Sequence, residues 1–290
     1  MIEFLLGVDG GGTGTRVLLA RRDGALIGRG AAGPSALARG ISSAWAEIGR
    51  AVALAFADAG LPDAPLGHCA LGAGLSGANH RPWNLAFVQA NPGFGLLELE
   101  TDAFTMLLGA HAGRHGAIVA SGTGSVGEVW HTDGRRASVG GWGFPIGDEG
   151  SGAWLGFHAM QHAQHAMDGR TPPGALAQAV WARCGTDRDA LLGWCAQANQ
   201  FEYAQLAPLV FDTDAADPAA AELLTGATDA LALMAHALDP DGRLPLAVSG
   251  SVGQRLAPRL AADLRARLVE VADGADAGAL ILLRRVLDLS

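Results

Sequence analysis

The stretch Asp9-Gly10-Gly11-Gly12-Thr13-Gly14-Thr15 follows directly on an apolar run at residues 4–8. Consecutive glycines let the backbone approach a phosphate and aim its N–H groups at it. An Asp at the strand end can hold Mg2+ through water, in the oxygen coordination that ion takes. The plainer reading is a tight hairpin that merely needs glycine. Recurrence decides between them. Residues 117–120 are a second apolar run, and Ser121-Gly122-Thr123-Gly124-Ser125 follows it. Each Gly turn leads to a further strand (16–22 and 128–131), an Asp-Gly hairpin turn (Asp23-Gly24 and Asp133-Gly134) and a return strand (from 25, and 135–139). Two such units, one per half, mark an internal duplication. Two facing Gly/Thr hairpins can clamp a triphosphate.

Outward from these turns, the chain reads as β-β-β-α-β-α-β-α written twice. The first half carries a helix over 42–59, a strand over 68–73, a short helix over 82–89, a strand over 96–100 and a helix over 102–112. The second half is richer in helix, at 150–167, 174–184, 187–198 and 218–238. It closes with a strand at 246–249, a helix after Gly253, a strand at 269–271 and a helix from Asp276. This predicts an α/β chain of two duplicated lobes with a nucleotide cleft between them. The N-terminal lobe is 1–112, with the closing helix 276–290 a candidate to pack with it, and the larger C-terminal lobe is 113–275. Gly122-x-Gly124-x-x-Gly127 also fits the dinucleotide pattern. That pattern must open a helix, whereas here it runs into Glu128-Val129-Trp130-His131 and an Asp-Gly turn, so a Rossmann reading is rejected.

Composition narrows the chemistry. The 290 residues carry a formal charge of −9, which argues against nucleic acid as a partner, since counterion release needs a basic face. All 20 basic residues are Arg. Without any Lys, a P-loop, a protein-kinase site and Schiff-base chemistry are excluded. Cys69, Cys184 and Cys195 form no C-x-x-C pair, which suits a reducing cytosol and neither zinc nor iron–sulfur. The opening Met1-Ile2-Glu3-Phe4-Leu5-Leu6 lacks a basic n-region and reads as a strand, not a signal peptide. No run of 18 apolar residues predicts a membrane span. A cytoplasmic protein is expected.

Four further places carry candidate chemistry. Asp102 follows the strand at 96–100 and opens a helix. It is an ordinary N-cap or, beside phosphate loops, the general base for a hydroxyl acceptor. The segment Gly140-Gly141-Trp142-Gly143-Phe144-Pro145-Ile146-Gly147-Asp148-Glu149-Gly150-Ser151-Gly152 sets carboxylates and a hydroxyl among glycines and a Trp. Sugars need carboxylates for their hydroxyls and an apolar wall for the ring, and the bland alternative is a loop with a helix cap. Ser249-Gly250-Ser251-Val252-Gly253, between a strand and a helix, could hold adenosine. His158, His162 and His165 share one helix face; a solvated face is the simpler reading than a metal site.

Together these motifs resemble the N-acetylglucosamine and glucosamine kinases of the BadF/BadG/BcrA/BcrD ATPase family, within the actin/hexokinase/Hsp70 superfamily. The resemblance runs from Gly7 to about Leu282. It rests on Gly7-Val8-Asp9-Gly10-Gly11-Gly12-Thr13, on Ser121-Gly122-Thr123-Gly124-Ser125, and on Gly141-Trp142-Gly143 with Gly147-Asp148-Glu149-Gly150-Ser151. Ser249-Gly250-Ser251-Val252 looks like the adenosine motif, and Asp273-Gly274-Ala275 precedes the closing helix. The resemblance implies two ribonuclease H-like (actin-like) lobes, ATP and Mg2+ as cofactors, and transfer of phosphate to a hexosamine, at its 6-OH. It implies Asp102 as base and Asp9 as the residue that positions Mg2+. The binding residues expected are Asp9, Gly11, Gly12, Thr13 and Thr15, then Gly122, Thr123 and Gly124, then Gly250 and Ser251 for the nucleotide. For the sugar they are Ser35, Gly141, Trp142, Gly143 and Asp148. Two positions depart from the pattern. The family's sugar kinases often carry Asn after Gly-Pro-Ser, where this chain has Ala36, and after Gly-Thr-Gly-Ser, where it has Val126. Expected partners are the sugar, ATP and a second copy in a homodimer, with no nucleic acid and no membrane. Two other readings stand beside this one: an ATP-hydrolysing activator of a partner protein, and a sugar sensor without catalysis.

Overall fold

The computed structural model describes residues 1–62 and 65–288. The chain runs β1 (Phe4–Gly10), β2 (Thr15–Arg21), β3 (Leu26–Ala32), α1 (Ile41–Asp58), β4 (Cys69–Leu75), α2 (Arg81–Gln89), β5 (Leu96–Glu100) and α3 (Asp102–Ala110). It continues through β6 (Gly116–Ser121), β7 (Ser125–Trp130) and β8 (Arg136–Gly140). Six helices follow: α4 (Gly152–Met167), α5 (Ala175–Cys184), α6 (Arg188–Gln197), α7 (Gln200–Ala204), α8 (Ala207–Thr213) and α9 (Pro218–Leu238). It ends with β9 (Leu246–Ser249), α10 (Ser251–Leu256), α11 (Ala262–Arg265), β10 (Leu268–Val269) and α12 (Ala275–Val286). Two compact units emerge: Met1–Gly116 with Glu270–Ser290, and Ala117–Val269.

In the first unit the sheet order is β3-β2-β1-β4-β5. β1 pairs antiparallel with β2 and parallel with β4, and β4 runs parallel to β5. Every residue of β4 is buried, as a central strand covered on both faces must be. Ile48, Val52 and Phe56 of α1, with Phe87 of α2, cover one face; Leu280 and Leu283 of α12 cover the other against Leu5, Leu18 and Ala70. α12 lies at backbone distance from the sheet because Gly7 has no side chain: a Cβ there would stand 2.1 Å from Asp276 O. That approach brings the start of α12 beside the end of β1. The last two residues of the helix expected at 276–290 lie outside the described residues.

The second unit repeats the plan, with the order β10-β9-β6-β7-β8. Each sheet thus runs third, second, first, fourth, fifth in its own count, which is the duplication read from the two Gly turns. Its core is helical: Leu155 and Ala159 of α4, Val180 of α5, and Leu224 and Leu231 of α9 are buried together. Three expectations need correction. The helix after β9 begins at Ser251, not beyond Gly253, because Gly250 breaks the strand at φ +83° and its carbonyl accepts from Gln254 N–H. β7 starts at Ser125, not at residue 128, since Gly122 N–H closes the turn onto Gly124 O. α7 and α8 were not expected. Among the described residues no helix is long and apolar enough to cross a membrane.

Candidate active site

The parallel strands β1, β4 and β5 place Asp9 and Glu100 in one register line, with Gly74 between them. Ligands of open α/β sheets gather at this C-terminal edge. Asp9 stands near the end of β1, and Asp102 opens α3 two residues beyond β5. The N-cap role does not fall to Asp102. Thr101 takes it, its Oγ1 accepting from Phe104 N–H at 3.1 Å. Asp102 is the first residue of the helix proper, with Oδ1 accepting from Ala103 N–H at 2.9 Å. Burial raises its carboxyl to about 6, the Ala103 hydrogen bond opposes this, and the Asp9 charge adds to it. A carboxylate tuned in that direction is suited to take a proton near neutral pH.

Asp9 carries a partner that the sequence reading did not single out. Arg16 sits opposite it in the β1–β2 ladder, and its guanidinium donates to Asp9 Oδ2. Burial raises the Asp9 carboxyl, Arg16 lowers it, and Asp276 at the start of α12 raises it again. Between Asp9 and Arg16 the Gly loop is open: a Cβ on Gly11 or Gly12 meets no atom within 4 Å. Thr13 is exposed. Such a cradle fits a phosphate. A carboxylate beside it fits Mg2+, which keeps several waters and needs only one or two carboxylates when phosphates supply the rest.

Thr15 and Ser35, expected at the nucleotide and at the sugar, are bonded to each other. Thr15 Oγ1 donates to Gly33 O at 2.6 Å and accepts from the Ser35 hydroxyl at 2.7 Å. Both residues are buried, Ser35 completely. These bonds tie the first loop to the Gly33-Pro34 turn. Ser35 and Ala36 also donate their N–H groups to Gly11 O, at 3.2 Å each.

In the second unit, the loop at 121–125 is held by the segment at 148–153. Asp148 Oδ1 accepts from Ser125 N–H at 3.0 Å, and its Oδ2 accepts from Gln200 Nε2 at 2.6 Å. Ser121 and Ser125 donate their hydroxyls to Gly150 O and Glu149 O, and Gly152 N–H returns to Gly122 O. Asp148 is 4% exposed and adopts φ +65°. Burial raises its carboxyl against the lowering by Ser125. A non-glycine residue in this region is uncommon and is kept where surrounding bonds over-determine it. This carboxylate braces the second loop. Ser151 caps α4, accepting from Trp154 N–H.

Gly122 is as open as Gly11 and Gly12. Gly250 abuts this loop, since a Cβ there would stand 2.2 Å from Ser121 O, and Ser251 beside it is exposed. The loop at 141–147 is pinned by Gly141 N–H to Ser125 O and by Phe144 against Phe157 and Tyr203. Gly143 lies within it at φ +81°, and Trp142 is 84% exposed. His158 Nδ1 lies 2.8 Å from Trp154 O, the carbonyl one turn earlier in α4. Among the described residues no group of three or more His, Cys, Asp or Glu side chains is placed to hold a metal.

Comparison with known proteins follows the same lines. A model of the BadF/BadG/BcrA/BcrD ATPase family matches residues 6–252. The chain is 31% identical over 282 residues to glucosamine kinase GspK of Vibrio cholerae, covering 97% of this chain and 95% of that protein. It is 33% identical over 175 residues to an N-acetylmuramic acid/N-acetylglucosamine kinase of Clostridium acetobutylicum, covering 58% of this chain and 56% of that one. A crystal structure from Chromobacterium violaceum, described as a candidate N-acetylglucosamine kinase, superposes with a TM-score of 0.95 at 46% identity, over 97% of this chain and 99% of the other.

Proposed function

The chain belongs to the BadF/BadG/BcrA/BcrD ATPase family, and we propose that it is an ATP-dependent kinase of a hexosamine, glucosamine or N-acetylglucosamine, acting at the 6-OH. The observation that carries this reading is Asp102. Its carboxylate is released from capping by Thr101, is raised to about 6, and shares a sheet edge with the phosphate loop that follows Asp9. The named activities of the relatives support it.

As the sugar oxygen bonds to the γ-phosphorus of ATP, Asp102 takes the hydroxyl proton, the bond from that phosphorus to the bridging oxygen breaks, and ADP leaves. The N–H groups of Gly11, Gly12 and Thr13 meet phosphate oxygens in the first unit, and those of Gly122, Thr123 and Gly124 do so in the second. Gly250 and Ser251 receive the adenosine. Asp9 would hold Mg2+ through water, and the ion would offset charge on the transferring phosphate. Exposed Trp142, on its pinned Gly141–Gly143 loop, offers the sugar ring an apolar wall. With no Lys in the chain, charge stabilisation rests on amides, Arg and the metal.

An ATP-consumption screen tests this against glucosamine, N-acetylglucosamine, N-acetylmuramic acid, N-acetylmannosamine, glucose and no sugar. Ala36 and Val126 offer no side-chain hydrogen bond, and an apolar pocket discriminates by only about 10–200-fold. More than one hexosamine should therefore turn over, with kcat/KM values within about 200-fold. A rate without sugar equal to the best sugar would instead favour an activator that hydrolyses ATP.

A further inference from the structure

The Asp9–Arg16 pair does more than neutralise a charge. Hairpin pairing puts the two residues directly opposite each other, so backbone hydrogen bonds set their spacing, not chance contact on the surface. Asp9 is largely buried, with 14% of its side chain exposed, whereas Arg16 is 66% exposed. A guanidinium has five N–H donors, and its bond to Asp9 Oδ2 uses one of them. Arg16 follows the Gly11–Thr13 loop by three residues, and the exposure of its side chain leaves the remaining donors accessible. The carboxylates of Asp102 and Asp276 lie near enough for their charges to act together with that of Asp9.

Taken alone, the Asp9 carboxylate would attract a divalent cation through water. Paired with Arg16, it offers the cation a neutralised group with one oxygen already engaged. A polyphosphate on the Gly loop changes the competition, because it gives the Arg16 donors several charged oxygens, and charge-assisted bonds to phosphate are the strong ones. Resting on the kinase reading above, we propose that Arg16 is a placeholder cation: it occupies Asp9 until nucleotide binds, then moves to the phosphates and leaves Asp9 to the metal. Metal and nucleotide binding are thereby coupled, and the free protein keeps Mg2+ out. Arg16 is a positioning residue, acting on the metal through Asp9.

The test is Mn2+ titration of the nucleotide-free protein, read by electron paramagnetic resonance. Arg16→Gln should bind Mn2+ more tightly than the unmodified protein by about 5–150-fold, the usual span of such couplings. Arg16→Lys, which keeps the charge, should return to the weak value. Adding Asp9→Asn to Arg16→Gln should abolish the gain. With ADP present, the unmodified protein should gain Mn2+ affinity and Arg16→Gln should gain less. A circular dichroism melt confirms that each variant is folded. Equal Mn2+ affinity for the unmodified protein and Arg16→Gln, whether tight in both or undetectable in both, overturns the proposal. The kinase reading fails separately, if calorimetry shows that the unmodified protein binds no ATP, and the nucleotide-free Mn2+ comparison still decides the role of Arg16.

Discussion

Thr101 and Asp102 divide the start of α3 between them. The Thr101 hydroxyl accepts from Phe104 N–H, and the Asp102 carboxylate, one residue on, bonds only as far as Ala103 N–H within the helix. Two adjacent residues that could each cap a helix thus have separate work. The cap stabilises the helix, while the carboxylate is held in a buried setting that penalises its charge. A group kept ionised at a cost to stability is the pattern expected of a catalytic base.

Replacing Asp102 with Asn should separate activity from stability. We expect kcat to fall by about 10²–10⁴ with little change in the sugar KM. Stability at pH 7 should rise by up to about 3 kcal/mol, the equivalent of the lift from 3.8 to about 6. Thr101→Ala is the control: it should cost about 1 kcal/mol and leave turnover near normal. Steady-state kinetics and thermal melts on both variants check this.

The same carboxyl sets a pH dependence. Its pKa in the folded protein lies above the unfolded value, so from pH about 4 to about 6 the folded state keeps a proton that the unfolded chain has lost. Its contribution to stability is therefore most favourable below pH 4, declines across that window and is flat above it. Turnover moves the other way, since the base works ionised: kcat/KM should fall roughly tenfold per pH unit below about 6. In Asp102→Asn the residual rate should lose that limb.

Asp148→Ala should act through the second loop. It leaves Ser125 N–H and the Gln200 amide without their acceptor, a loss of about 1–3 kcal/mol for a buried donor. The KM for ATP should rise more than the KM for sugar. A rise confined to the sugar KM, with an unchanged melting temperature, would show that Asp148 contacts the sugar instead.

Gly250→Ala should disturb the same loop from its other side. The new methyl would need φ +83° and would press on Ser121 O. The expected outcome is a lower melting temperature and a raised KM for ATP, measured with sugar at saturation.

Much of this was legible in the residues alone. The two Gly turns and their Asp-Gly partners announce duplicated sheets, because hairpin chemistry is local. Even the Arg16 pairing could have been counted out: a turn closing Gly10 on Thr15 sets Asp9 opposite Arg16. α7 also had a local signal, the Asn199/Glu202 capping box. Other features had none. Gln200 meets Asp148 across 52 residues, and Asp276 reaches Asp9 only because Gly7 lets α12 lie against β1. Nor does any local signal pair Thr15 with Ser35, whose buried hydroxyls meet across 20 residues.

The central claim is phosphoryl transfer to an amino sugar, and phosphorus NMR of a reaction with Mg·ATP and glucosamine or N-acetylglucosamine tests it most directly. The account predicts a sugar 6-phosphate forming mole for mole with ADP, stopped by EDTA and absent when sugar is left out. ADP appearing at the same rate with and without sugar, accompanied by inorganic phosphate and no phosphosugar, would contradict it.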